Sequence, residues 1–167
     1  MSKKINYYFG NYFGAPFEIG LHVCNLYHIF GAGIAKEIKK QYPEAYLADL
    51  NTKKGDVTRL GTISIGKVEG EGKLSHIVNL YAMRGLGPAV RQLSYDALID
   101  CLERTIQYFS FAESPFSIGI PYGMGCGLAG GDWKIVEAII ESCFKDYPGI
   151  VYVCVRDEDV FKFKNNL

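Results

Sequence analysis

The chain has 167 residues, of which 49% are hydrophobic and 14% aromatic, enough for one domain over residues 1–167 with a sizeable core. Twelve tyrosines and ten phenylalanines exclude disorder outside the termini. Eighteen basic and eighteen acidic side chains cancel, which excludes the basic footprint of a nonspecific nucleic-acid binder.

In chain order, Ile5–Phe9 and Ile19–Cys24 read as short strands rich in Val, Ile, Tyr and Phe. Ile34, Ile38 and Tyr42 recur every four residues and predict a helix, and Pro43-Glu44 opens a short second one. Asn51–Gly61, with Lys53, Lys54, Gly55 and Asp56, reads as a solvated loop. Thr62–Val68 and Ile77–Ala82 are strands, and Val68–Leu74 reads as the hairpin turn between them. Tyr95, Leu98, Leu102, Ile106 and Phe109 mark a helix from about Arg91 to Phe109. Ser117–Pro121 is a fifth strand. Ile135, Val136, Ile139, Ile140, Cys143 and Phe144 give an amphipathic helix, and Ile150–Val155 a last strand. Strands alternating with helices predict an α/β/α sandwich, its sheet covered on both faces.

No apolar run reaches the ~20 residues of a membrane span, and Met1-Ser2-Lys3-Lys4 leads into a short strand rather than a signal-peptide core. A cytoplasmic location is expected. Cys24, Cys101, Cys126, Cys143 and Cys154 are odd in number and lack metal-site spacing, so they read as reduced thiols with no metal.

Two glycine-rich stretches carry the functional signal, and each is expected to open a helix. They are Gly31-Ala32-Gly33-Ile34-Ala35 and Gly123-Met124-Gly125-Cys126-Gly127-Leu128-Ala129-Gly130-Gly131-Asp132-Trp133. Glycine permits a tight turn with its N–H groups against a ligand, and a helix N-terminus favours an anion. The first stretch is not a dinucleotide fingerprint, because its third glycine would fall on Lys36; neither is followed by the Gly-Lys-Ser/Thr of a P-loop. One such loop reads equally well as an ordinary strand-to-helix turn. Two, both after buried strands, point to a pinched diphosphate at the carboxyl edge of a sheet.

His22-Val23-Cys24-Asn25, Gly31–Ala35 and Pro121-Tyr122-Gly123-Met124-Gly125-Cys126-Gly127-Leu128 together resemble a macro domain. So do Gly10-Asn11 and Val78-Asn79-Leu80-Tyr81, and the resemblance spans nearly the whole chain. It is most similar to the compact branch holding ADP-ribose-1''-phosphate phosphatases and the terminal ADP-ribose protein glycohydrolase, including small bacterial and phage members. The resemblance implies a three-layer α/β/α sandwich with a mixed central sheet and an ADP-ribose pocket; a monomer without cofactor is expected. It places Gly31, Ala32, Gly33, Ile34 and Ala35 on one side of the diphosphate. Gly123, Met124, Gly125, Cys126, Gly127 and Leu128 lie on the other, with Asn11 at the adenine amino group and Asn25 at the distal ribose.

Candidates for chemistry each carry a plainer reading. His22 reads as a general acid or base near the distal ribose, or as a core histidine with its nitrogens satisfied. Asp132 reads as a helix N-cap, or as a catalytic acid beside the second loop. His28 reads as a surface loop residue that could border the pocket, and His76 as structural. Cys126 sits where a thiol pKa can drop, but no arginine-closed loop follows it. The glycohydrolase branch uses a lysine after the middle strand and an acid after Gly-Cys-Gly-Leu; here those stretches read Ala82-Met83-Arg84 and Ala129. Arg84 stays protonated and cannot replace the lysine nucleophile, but it and Arg91 suit a terminal phosphate or a solvated loop. The expected activity is hydrolysis of ADP-ribose 1''-phosphate to ADP-ribose and phosphate, with His22, Asn25 and Asp132 as catalytic residues. The alternatives are removal of ADP-ribose from modified protein or nucleic acid, and ADP-ribose binding without turnover.

Overall fold

A computed structural model describes residues 3–167. Strands β1 (Ile5–Phe9), β2 (Ile19–Cys24), β3 (Ile63–Lys67), β4 (His76–Tyr81), β5 (Ile118–Pro121) and β6 (Val151–Val155) form one sheet in the order β1-β6-β5-β2-β4-β3. All neighbouring pairs are parallel except β3–β4, which the hairpin joins antiparallel, so the sheet is mixed. Helices α1 (Gly33–Gln41) and α2 (Pro43–Leu50) follow β2, and α3 (Tyr95–Phe109), α4 (Trp133–Cys143) and α5 (Glu158–Lys164) complete the order.

Alternation along the strands sorts the core into two layers. Leu21, Val78, Leu80, Ile120 and Val153 face α3 and α4 through Leu98, Leu102, Val136 and Ile140. On the opposite face Cys24, Ile77 and Tyr81 meet Ile38 of α1 and Ala45 of α2. The expected three-layer sandwich is therefore present. The long helix starts at Tyr95 rather than near Arg91, because Ser94 is extended and its hydroxyl accepts from Ala97 N. Two elements were not expected. Val57–Arg59 forms one 3₁₀ turn inside the supposed solvated loop, and its Arg59 is buried. Helix α5 packs Val160 and Phe161 against the α3–α4 side of the core, with Asp157 accepting from Asp159 N and Val160 N at its start. Among the described residues no helix is long and apolar enough to cross a membrane.

Candidate functional site

The central strands β5, β2 and β4 run parallel, so their carboxyl ends open onto one side of the sheet. A cleft of about 590 Å³ lies there, walled by both glycine loops, with Asn25, Phe30 and Met83 among its lining residues. Among the described residues, no lysine, arginine, histidine, aspartate or glutamate lines it. The segment Gly85–Gly87, which lies between Arg84 and Arg91, supplies Leu86 and Gly87 to the wall, two residues that the sequence pattern does not single out.

The first loop turns into α1 at Gly33, whose φ of +57° suits glycine. Ala32 stands at the N-cap and has no side chain to cap with, and no acid lies in the first turn. The leading N–H groups of α1 therefore face the cleft without an internal acceptor. By contrast, α3, α4 and α5 carry side-chain caps from Ser94, Asp132 and Asp157. Gly31, Ala32, Gly33, Ile34 and Ala35 all line the cleft, where the sequence puts them.

The second loop is a series of turns that leads into α4 at its Asp132 cap. Met124 N donates to Pro121 O, Cys126 N to Gly123 O, Gly130 N to Gly127 O and Gly131 N to Gly125 O. The N–H groups of Gly125, Gly127 and Leu128 have no acceptor among the described residues, and all three residues line the cleft with Gly123 and Met124. The loop is packed tightly behind. A Cβ on Gly131 would lie 2.5 Å from Leu93 Cδ2 and 2.7 Å from Gly125 O. Cys126 is the exception to the expected set: its amide is used within the loop and its thiol turns to Met124 O at 3.5 Å, away from the cleft. Burial pushes that thiol up to about 11, so it is a neutral thiol at pH 7.

The three residues assigned to catalysis occupy different settings. Asn25 lines the cleft, yet its side chain staples its own loop: Oδ1 accepts from Tyr27 N (2.9 Å) and Ile29 N (3.3 Å), and Nδ2 donates to Ile29 O (2.8 Å). One Nδ2 hydrogen remains for a ligand. His22 does not reach the cleft. It is completely buried on the α1–α2 face of the sheet, with Nε2 2.6 Å from Asn79 Oδ1 and its ring edge-on to Phe30. Burial pushes it down to about 4, against the opposing pull of the Asn79 bond and of Asp49, so it is neutral at pH 7. Asp132 is exposed, caps α4 by accepting from Lys134 N at 2.9 Å, and lies outside the cleft lining. The capping reading accounts for it. Asn11 follows Gly10 at the end of β1 and also lies off the cleft; its Oδ1 accepts from Phe13 N at 3.1 Å in a local turn.

Two facing sets of main-chain donors at the carboxyl edge of a mixed three-layer sheet define a macro domain. No family model matches the sequence. An uncharacterized 17.5 kDa protein of Enterobacteria phage T4 is 32% identical over 125 residues, covering 72% of this chain and 76% of the relative. The DNA ADP-ribosyl glycohydrolase of Mycobacterium tuberculosis is 30% identical over 150 residues, covering 87% of this chain; the chain spans about 40% of that relative's length. The macrodomain of Mycobacterium tuberculosis DarG superposes with a TM-score of 0.74 at 26% identity, over 92% of this chain and 97% of that one. This chain belongs to the macro domain family, among its small bacterial and phage members.

Proposed function

We propose that the cleft binds ADP-ribose with its pyrophosphate between the two loops, and that the protein hydrolyses the bond at the anomeric carbon of the distal ribose. One observation carries the reading: a cleft without ionic side chains, faced by unpaired amides from both loops. A helix N-terminus and a nest of amides hold a dianion without a cationic side chain. The volume of about 590 Å³ also falls in the range of sites for nucleotide-sized ligands.

The glycohydrolase name of the mycobacterial relatives supports a nucleic-acid leaving group, with water attacking the anomeric carbon and ADP-ribose released. Where the glycohydrolase branch carries a lysine and an acid, this chain reads Ala82-Met83-Arg84 and Ala129, of which Met83 and Ala129 line the cleft. A lysine adduct is therefore not available. Rate enhancement comes from positioning and from amides aimed at developing charge, with the substrate's own phosphate as the base. The exposed Arg84 and Arg91, which flank the segment bearing Leu86 and Gly87, favour a second reading. In it the substrate is ADP-ribose 1''-phosphate, and water attacks phosphorus to give ADP-ribose and phosphate.

The test incubates the purified protein with ADP-ribosylated DNA, ADP-ribosylated protein and ADP-ribose 1''-phosphate, and identifies the products by chromatography. Release of ADP-ribose from DNA without inorganic phosphate supports the first reading. Phosphate release from the 1''-phosphate supports the second. Calorimetric binding of ADP-ribose with no product from any substrate leaves a binding module, and no binding at all overturns the cleft assignment.

A further inference from the structure

We infer that His28 is a positioning residue for the first glycine loop, held by the buried Asp49 so that the Gly31–Ala35 amides stay aimed into the cleft. This rests on the ADP-ribose reading for its ligand, but its geometry is independent of it. His28 lies between Asn25 and the loop, with φ +59°, a left-handed conformation uncommon outside glycine, in which Asn, Asp and His are the more frequent exceptions. Such a conformation persists where the surroundings enforce it.

The enforcement is visible on every side. The His28 Nδ1–H donates to Asp49 Oδ2 at 2.9 Å, and the His28 carbonyl accepts from Tyr46 Oη at 3.1 Å. Asp49 is completely buried in α2 and also accepts from Tyr81 Oη at 2.7 Å, with Arg59 Nη2 at 3.6 Å. Arg59 in turn donates through Nη1 to Leu26 O (3.0 Å) and Lys53 O (2.6 Å). Helix α2 and the 3₁₀ turn thus grip the segment at Leu26 and His28 from outside, and Asn25 staples it from within. Gly31, three residues on, begins the exposed run that α1 leaves uncapped. His28 itself does not line the cleft, so its loss removes no contact with a bound ligand.

Two substitutions separate this role from a contribution to folding. His28→Gly accepts the left-handed backbone without steric penalty and deletes the link to Asp49. His28→Asn also tolerates that backbone, and its amide nitrogen can occupy the place of Nδ1 and donate to the same oxygen. With both variants shown folded by thermal denaturation and measured at 15 °C, His28→Gly weakens ADP-ribose binding roughly tenfold through the ordering it leaves to the ligand. His28→Asn restores most of the affinity. In the ligand-free protein, amide hydrogen exchange across residues 25–35 accelerates in His28→Gly and not in His28→Asn. Unchanged exchange in the glycine variant, or a glycine variant that binds as tightly as wild type, overturns the inference. A wild type that fails to bind ADP-ribose while exchange still responds overturns the ligand assignment alone.

Discussion

Truncating His22 to alanine discriminates most sharply between chemistry and packing. The substitution empties a fully buried site beside Phe30 and leaves Asn79 Oδ1 with Cys24 Sγ at 3.8 Å as its remaining partner. Loss of the buried ring costs about 3 kcal/mol by comparison with other large-to-small core changes. The stranded carbonyl oxygen adds about 1 kcal/mol. In a chain of this size that total lowers the melting temperature by about 10 °C. Phe30 lines the cleft, so a small rise in KM is expected, but kcat measured at 15 °C should stay near wild type. A general acid or base would instead contribute about 10²–10⁴ to the rate. Thermal denaturation followed by steady-state turnover reads both numbers. A melting temperature near wild type with kcat down a hundredfold would refute the core assignment and restore His22 to the chemistry.

The same histidine predicts an acid limb in the stability curve. Its folded pKa of about 4 lies below the ordinary value of 6.5, so between these pH values the unfolded chain binds the extra proton. Stability contributed by the neutral ring is whole above pH 6.5 and falls by about 3 kcal/mol as pH drops to 4; urea titrations of wild type and His22→Gln, which lacks this limb, check it. Asp132→Ala removes a helix cap, with an expected cost of about 1 kcal/mol in denaturation and no change in kcat; a collapse of turnover would reinstate it as a catalytic acid. Gly131→Ala drives a methyl into Leu93 and the Gly125 carbonyl, so ADP-ribose affinity by calorimetry should fall at least about tenfold as the second loop shifts. Gly127→Ala, where a Cβ meets open space, should leave the melting temperature within about 2 °C.

The strands and both glycine loops could be read from the chain because short β-branched runs and clustered glycines are local signals. Strand bounds for Ile5–Phe9 and Ile19–Cys24 match the structure residue for residue. Helix α5 is not legible from periodicity, because its seven residues span too few turns. The available signs were Asp157 at its cap, with acids in the first turn and lysines in the last. Side-chain roles were harder. Alternation puts His22 and Cys24 on one face of β2, but nothing in His22-Val23-Cys24-Asn25 tells that this face is covered by α1 and α2, where Asn79 on β4 is the partner of the imidazole. The partnership of His28 with Asp49 joins positions 21 apart and leaves no pattern in either segment. Leu86 and Gly87 belong to an irregular loop, and no residue pattern beyond its glycines and Pro88 sets them apart as cleft-lining.

Peptide groups carry no proton to gain or lose across the biological range, and they bring no counterions to be displaced. A receptor that meets its guest through them alone should grip it almost equally from mildly acid to mildly alkaline solution, once the guest's own ionisation is constant. Added sodium chloride should weaken that grip far less than it weakens a lysine-lined phosphate site. The bare wall of this recess thus makes recognition a matter of chain path rather than of charge.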